Sequence, residues 1–268
     1  IFIHAHYKNY SLNYINFNDV KFNIKAEKSK RWKYLTEQCT KIGWEDCYKP
    51  QKNKINILAV GDSMAPDAAN MLNAILNLDK YYVITDTLGG CPPIKDISLH
   101  VNKDYPNLFE CSKKNKLRFS KKNYDNIEIV IINNNYNWSK SGGLEDYLIF
   151  LKKIGIKKII LVGNYIQLKK EFIDIIREKK NIINTQDISN EIIANKFLNE
   201  EYLNNLANKF NILFLSFKNL CQNNKCILFT DSKIPFTWDQ NHLTKEFSEF
   251  YAQNIYVKNK ILNYLNSK

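Results

Sequence analysis

Short apolar runs alternate with stretches of helical spacing from residue 55 onward, and this alternation constrains the fold more than any other feature of the chain. Five runs are predicted to be strands, at residues 55–60, 81–85, 127–132, 158–162 and 212–215. Helices are predicted at residues 65–78, 144–154, 169–179, 190–209 and 246–265. Strands that alternate with helices form parallel sheets, so we expect an α/β domain that is a three-layer α/β/α sandwich.

The first 51 residues differ from the rest of the chain. They are rich in Lys, Asn and Tyr and carry few periodic apolar runs, which predicts an extension packed on the core rather than a second domain. Residues 52–268 then form the main domain. Because the chain begins with Ile1 rather than Met and shows no signal-peptide pattern, we expect a piece of a longer protein, with any export signal or membrane anchor upstream.

The chain carries a net charge of +12, from 39 Lys and Arg against 27 acidic residues. Such a charge attracts anionic glycans, phospholipid headgroups or nucleic acid. Lys and Asn recur throughout the sequence, however, so compositional bias explains the charge better than a designed patch. Since no nucleic-acid-binding motif is present in the sequence, we expect no nucleic-acid partner. No apolar run approaches the roughly 18 residues that span a bilayer.

The six cysteines fall into three neighbouring pairs, Cys39 and Cys47, Cys91 and Cys111, and Cys221 and Cys226. This spacing suits three local disulfides and predicts an oxidising compartment. The pairing is one of about fifteen possible connectivities. Incidental thiols in a reduced protein and a zinc site are the alternatives, but no CxxC pair or close Cys/His cluster in the sequence favours a metal.

Ser63 directly follows a predicted strand and opens a predicted helix, within the sequence Gly61-Asp62-Ser63. A hydroxyl there is presented at the edge of the sheet, and the helix N-terminus offers N–H groups and a partial positive charge to an oxyanion. These properties suit a nucleophile. The alternative is that Ser63 caps the helix and Asp62 makes the turn, which is a common use of both residue types.

Asp239 and His242 are separated by two residues just before the last predicted helix. At this spacing the carboxylate reaches the imidazole Nδ1 within one turn and fixes the tautomer, so that Nε2 can accept a proton from a serine. The chain has four histidines, and His4, His6 and His100 have no acid at such a spacing in a comparable position. The alternative is a surface or capping histidine.

Together, Gly61-Asp62-Ser63 and Asp239-Gln240-Asn241-His242 resemble the first and last sequence blocks of the SGNH hydrolases. The resemblance implies a flavodoxin-like sheet and a triad in which Ser63 attacks an acyl carbonyl, His242 carries the proton and Asp239 orients the imidazole. It also implies an oxyanion hole. The expected donors are the N–H group of Ser63, Gly89 or Gly90 from the second block, and Asn135 from the third, with Asn134 and Asn137 as rivals.

The sequence resembles more closely the SGNH domains fused behind membrane acyltransferases of family three, which O-acetylate bacterial surface glycans. Gly90-Cys91-Pro92-Pro93, the pair Cys221 and Cys226, and the cysteine-bearing segment before the first strand all resemble that subgroup. The resemblance implies a periplasmic or extracellular domain with residues 1–51 as the linker. It further implies that the upstream membrane domain is the acyl donor and that a lipopolysaccharide, capsule or peptidoglycan hydroxyl is the acceptor.

Two other functions remain open at this stage. A secreted carbohydrate O-acetyl esterase would form the same acyl-enzyme and resolve it with water. A non-catalytic glycan-binding module would keep the fold and use its basic surface. Stacking of sugar rings on Trp138, Phe236 or Trp238 is a weaker possibility than core or rim packing of these aromatic side chains. We expect no metal or organic cofactor, and we expect the isolated domain to be a monomer.

Overall fold

The computed structural model describes residues 15–16, 49–99, 107–136, 143–178, 182–183, 193–195, 197, 199–222 and 225–267. Most of the predicted 1–51 extension, together with Cys39, Cys47, Asn137, Trp138 and the three other histidines, lies outside these residues. Within the described part of the chain, no helix is both long enough and apolar enough to cross a bilayer.

The described part of the chain contains eleven strands and seven α-helices. The strands are β1 Ile15–Asn16, β2 Ile55–Gly61, β3 Tyr81–Thr87, β4 Ile127–Asn133, β5 Lys158–Val162, β6 Gln167–Leu168, β7 Ile182–Ile183, β8 Ile193–Asn195, β9 Leu213–Leu215, β10 Cys221–Gln222 and β11 Lys225–Cys226. The helices are α1 Ala65–Ile75, α2 Leu108–Arg118, α3 Gly143–Lys153, α4 Phe172–Glu178, α5 Glu200–Phe210, α6 Lys245–Gln253 and α7 Ile255–Asn266. Short 3₁₀ helices cover Ile97–Leu99, Lys121–Tyr124 and Phe217–Leu220.

Five parallel strands form the main sheet in the order β3-β2-β4-β5-β9. This order is the flavodoxin-like one, in which the chain reverses its direction of progress between β2 and β4. Ligands of such sheets bind at the carboxyl ends of the strands beside this reversal. Gly61, the last residue of β2, pairs there with Thr87 of β3 and Asn133 of β4.

Alternate residues of the sheet pack into two apolar layers. Ile57 and Ala59 of β2 point into a layer that also contains residues of α1, α6 and α7. Leu58 and Val60 point to the opposite face, where residues of α3 and α5 cover the sheet. Because both faces are buried, the strands read as continuous apolar runs, as parallel strands do. The predicted three-layer α/β/α sandwich is confirmed.

Two helix predictions were wrong in part, and one helix was missed. The helix expected at 190–209 begins at Glu200, because residues 193–195 form β8, which pairs antiparallel with β6. Asn199, with φ 61°, precedes the helix in the left-handed conformation. The closing helix expected at 246–265 is two helices, because Asn254 has a non-helical ψ of 126° and its side chain accepts the N–H of Tyr256 as a new cap. Helix α2 was not predicted at all.

Candidate active site

The turn that carries Ser63 joins the end of β2 to the start of α1. Gly61 is required at this position, since a Cβ atom there would lie 1.9 Å from the Asn133 carbonyl oxygen of β4. The close approach of the two strands places Ser63 at the carboxyl edge of the sheet, half-buried, two residues before α1 begins. This is the position that the sequence predicts for it.

Asp62 binds this turn to the end of β4. Its backbone N–H donates to Asn134 Oδ1 at 2.9 Å, and its carboxylate accepts the N–H groups of Met64 at 2.9 Å and Asn135 at 2.8 Å. The side chain of Asn133 also donates to the Met64 carbonyl at 2.8 Å. Burial raises the pKa of Asp62 above its ordinary 3.8, and the two backbone hydrogen bonds oppose that rise. Asp62 therefore does more than make a turn.

Asp239 organises the loop that carries His242. Its Oδ1 accepts the backbone N–H groups of Asn241 and His242, both at 2.9 Å, and the Thr237 hydroxyl at 3.1 Å. Its Oδ2 lies 2.5 Å from His242 Nδ1. Burial acts to raise the pKa of Asp239, but the bonds and charge of His242 and the N–H of Asn241 outweigh it and lower the pKa to about 2. The carboxylate is thus ionised at neutral pH.

The structure brings the two distant motifs into contact. His242 Nε2 lies 2.7 Å from Ser63 Oγ, across 179 residues of sequence. The three side chains form a continuous hydrogen-bonded chain from Asp239 through His242 to Ser63. A carboxylate that holds Nδ1–H leaves Nε2 as the acceptor, so this arrangement can remove the hydroxyl proton of a serine.

Further contacts fix the His242 loop against the domain. The Trp238 ring stacks on the imidazole of His242, with centroids 5.5 Å apart and planes 10° apart. The N–H of Leu243 donates to Asp67 of α1 at 3.3 Å. Phe236, an alternative sugar-stacking residue, is buried and packs edge-on against Phe247, so it belongs to the core.

The glycines expected in the oxyanion hole follow β3 at the same edge of the sheet. The Cys91 N–H donates to the Leu88 carbonyl at 2.9 Å, closing a turn in which Gly90 has φ 67°, a conformation that favours glycine. Thr87, the last residue of β3, donates its hydroxyl hydrogen to the Asp62 carbonyl oxygen at 2.5 Å. Gly89 and Gly90 therefore leave β3 from a strand end that is bonded to the Ser63 turn.

The asparagines of the third block differ in their surroundings. Asn134 is buried, and its side-chain oxygen is engaged by the Asp62 N–H. Asn135 is half-buried and its backbone N–H binds the Asp62 carboxylate, which holds the residue beside the turn. Asn135 thus stays the first choice among these donors, as a prediction.

The sequence patterns did not predict a buried ionic cluster that lies beneath the turn. Asp86 is fully buried in β3 and pairs with Lys114 and Arg118 of α2. The Arg118 guanidinium also donates to the carbonyl oxygens of Gly61 and Cys91, each at 2.7 Å. The sequence shows only that Lys114 and Arg118 are four residues apart, a spacing that places them on one face of a helix.

Two of the three expected disulfides fall within the described residues, and both are present. Cys91 is bonded to Cys111, which ties the glycine turn to α2, and Cys221 is bonded to Cys226 across the β10–β11 hairpin. Among the residues that the structure describes, no cluster of three or more His, Cys, Asp or Glu side chains could hold a metal ion.

The fold and the Ser63 edge define an SGNH-type domain. The sequence matches the family model described as "SGNH domain (fused to AT3 domains)" over residues 31–256, so the chain belongs to that family, as the motifs predict. Its fold is similar to the structure titled "Structure of Salmonella ser. Paratyphi A lipopolysaccharide acetyltransferase periplasmic domain", with a TM-score of 0.65 and 17% identity, over 92% of this chain and 98% of that one. No curated protein matches the sequence significantly.

Proposed function

We propose that this chain is the extracytoplasmic catalytic domain of a bacterial membrane O-acyltransferase that moves an acetyl group through an acyl-Ser63 intermediate to a hydroxyl of a cell-surface glycan. The observation that carries the proposal is the 2.7 Å contact between His242 Nε2 and Ser63 Oγ in a member of the family fused to AT3 domains.

In the first half of the reaction, Ser63 Oγ attacks the carbonyl carbon of the acyl donor while His242 Nε2 accepts the hydroxyl proton. Asp239 stabilises the imidazolium that forms. The tetrahedral intermediate collapses to acyl-Ser63, the bond to the leaving group breaks, and His242 returns its proton to that group. Backbone N–H groups of Ser63 and of Gly89 or Gly90, with Asn135, would bind the oxyanion.

In the second half, His242 removes the proton of a glycan hydroxyl, whose oxygen attacks the acyl carbonyl. The new ester leaves and the proton returns to Ser63. Each half breaks one acyl bond as it forms an ester bond, so the transfer needs no oxidant or reductant. Water in place of the glycan hydroxyl would give an esterase with the same intermediate.

Three observations support transfer to a surface glycan. The family's SGNH domains are fused to AT3 domains, which supports a membrane acyl donor in the same polypeptide. The structurally similar protein is a lipopolysaccharide acetyltransferase periplasmic domain, which supports a glycan acceptor of the lipopolysaccharide, capsule or peptidoglycan type. Disulfides at Cys91–Cys111 and Cys221–Cys226 fit the periplasm or the cell exterior.

The proposal is tested by turnover of p-nitrophenyl acetate. Ser63→Ala should lower kcat by about 10⁴-fold or more, because the nucleophile is lost. Ser98→Ala is the matched control, since Ser98 is an exposed serine bonded to Asp96 in the short 3₁₀ helix Ile97–Leu99, and it should keep wild-type activity.

Adding purified lipopolysaccharide O-antigen distinguishes the remaining functions. Acetylated glycan formed only with Ser63 present supports the transferase, whereas release of free acetate alone supports the esterase. Equal inactivity of wild type and Ser63→Ala, with glycan binding retained, would contradict the proposal in favour of a binding module.

A further inference from the structure

Arg118 is the largest fully buried side chain in the described part of the protein, and it lies directly under the Ser63 turn. It closes α2, whose buried face consists of Cys111, Lys114, Asn115 and Arg118. A buried guanidinium requires partners for its donors, since an unpaired buried charge is very costly. The hydrogen-bond partners of Arg118 therefore indicate which parts of the fold this side chain holds together.

Two of these partners are backbone carbonyls in the two chain segments that carry donors of the proposed oxyanion hole. Nη2 donates to the oxygen of Gly61 at 2.7 Å, two residues before Ser63. Nη1 donates to the oxygen of Cys91 at 2.7 Å, one residue after Gly90. One planar side chain thus joins the strand end that carries Ser63 to the turn that carries Gly90.

The guanidinium is itself held in place. Nε donates to Asp86 Oδ2 at 3.1 Å, and Nη1 donates to Asn115 Oδ1 at 3.2 Å. Helix α2 is anchored to the same turn, since the Asn115 side chain donates to the Pro92 carbonyl at 3.0 Å and Cys111 is bonded to Cys91. These contacts fix the position and the orientation of the Arg118 guanidinium.

We propose that Arg118 is a positioning residue that sets the spacing between the Ser63 and Gly90 backbone segments, and so the geometry of the oxyanion hole. The role rests on the proposed function, because it matters only if an oxyanion forms at Ser63. Oxyanion donors must lie within a narrow range of distance from the developing charge, so a shift of either segment weakens the transition state more than the substrate complex.

Arginine is required for this role. Its five donors lie in one rigid plane, whereas a lysine ammonium is a compact charge on a flexible stem and cannot hold both carbonyls and Asp86 in one geometry. Lys114 offers the matched comparison within the protein. It is equally buried and pairs with the same Asp86, and its described bond runs to that carboxylate.

The test compares Arg118→Lys with Lys114→Met in the intact domain on p-nitrophenyl acetate, with active sites titrated by a fluorophosphonate so that kcat refers to folded protein. Arg118→Lys should lower kcat by about 100-fold, the loss expected for a misplaced oxyanion donor, with KM nearly unchanged. Its affinity for phenylboronic acid, which forms a tetrahedral adduct with serine, should fall in parallel. Lys114→Met should keep kcat within about threefold even if it is less stable.

Equal kcat losses in the two variants, or a kcat loss in Arg118→Lys without loss of boronate affinity, would overturn the positioning role. If Arg118→Lys does not fold, Asp86→Asn replaces it. In that variant Arg118 is still present, but its charge-assisted bond to residue 86 is weakened and the guanidinium is held less firmly. We expect kcat to fall by about tenfold. An unchanged kcat in Asp86→Asn would then overturn the role.

Amide hydrogen exchange separates this inference from the proposed function. Peptides covering residues 61–64 and 88–91 should both exchange faster in Arg118→Lys than in Lys114→Met. The reason is that both segments lose a hydrogen bond from the Arg118 guanidinium. If the wild type shows no Ser63-dependent turnover while both segments loosen, the proposed function fails and the structural tie stands. If the wild type is active and neither segment changes, the positioning inference alone fails.

Discussion

The two halves of the site are held in different ways. The Ser63 half depends on residues far away in sequence, with Asn134 and Arg118 bound to the turn across 72 and 57 residues. The side chains of the His242 half are organised locally, since the Asp239 carboxylate accepts hydrogen bonds from residues no more than three positions away. Only the backbone of this loop is bonded to distant residues, through the Asp239 and Gln240 carbonyls and the N–H of Leu243. Burial differs as well, because Arg118 is fully buried whereas the His242 side chain is 21% exposed.

Because of this difference, residues that stabilise the fold and residues that take part in the chemistry lie mostly in different halves of the site. The supports of Ser63 are buried polar groups, and removing one leaves a partner without its hydrogen bond, which destabilises the fold. The His242 loop lies at the rim, so its side chain can be removed with little cost to the core. We therefore expect removal of the His242 side chain to reduce activity while the domain stays folded, whereas removal of a buried support of the Ser63 turn should reduce activity and stability together.

The largest effect should come from the histidine half. His242→Ala removes the proposed proton acceptor of Ser63 and should lower kcat by about 10⁵-fold, in the range seen when a triad member is lost. The free energy of unfolding in urea should fall by at most about 2 kcal/mol, because the bond to Asp239 is lost but the ring is partly exposed. A variant that is inactive because it is unfolded would contradict the separation of the two halves.

The two described disulfides should sharpen the comparison. Cys91–Cys111, in the serine half, closes 20 residues, and its removal by a double Ala substitution should lower the free energy of unfolding by about 3 kcal/mol. Cys221–Cys226 closes only 5 residues, so the same change there should cost about 2 kcal/mol. The first variant should also lose kcat, since the disulfide anchors α2 and Arg118. Equal kcat in both variants would argue against that anchoring.

The smallest effect is a pH dependence of opposite sign in the two halves. Because the pKa of Asp239 is lowered from 3.8 to about 2, its ionised form favours folding, and this contribution, about 2 kcal/mol at neutral pH, is lost as pH falls toward 2. The pKa of Asp62 is raised above 3.8, so its ionisation opposes folding, and stability falls as pH rises through that raised value.

Unfolding free energies measured in urea between pH 2.5 and about 7 test this contrast. The difference between wild type and Asp239→Asn should shrink toward acid pH. In contrast, Asp62→Asn should gain on the wild type as pH rises. Parallel profiles for the three proteins would contradict the assigned pKa directions.

The sequence predicts the parts of the molecule that local patterns determine. Strands β2 and β4 were found because their residues are continuously apolar, as strands buried on both faces are. The Asp239 and His242 pair was found because its geometry forms within one turn. Their contact with Ser63 followed only from the resemblance to a family, since no local pattern carries a distance across 179 residues.

Helix α2 shows why the rest was missed. Its buried positions, Cys111, Lys114, Asn115 and Arg118, have helical spacing, but three of the four are polar or charged. A search for apolar periodicity therefore finds no helix there. Arg118 can be buried because Asp86 and the carbonyls of Gly61 and Cys91 accept its hydrogen bonds. These acceptors come together only when the sheet has formed. Buried polar residues that support a site are therefore hard to predict from local sequence, because their partners are known only from the fold.

Site mapping of a covalent label tests the central claim most directly. The wild-type domain and His242→Ala would be treated with a fluorophosphonate, digested and analysed by mass spectrometry. We predict a single labelled residue, Ser63, with labelling slowed by about 10³-fold or more in His242→Ala because the proton acceptor is absent. Labelling at another serine, or equal rates in the two proteins, would contradict the claim that His242 activates Ser63.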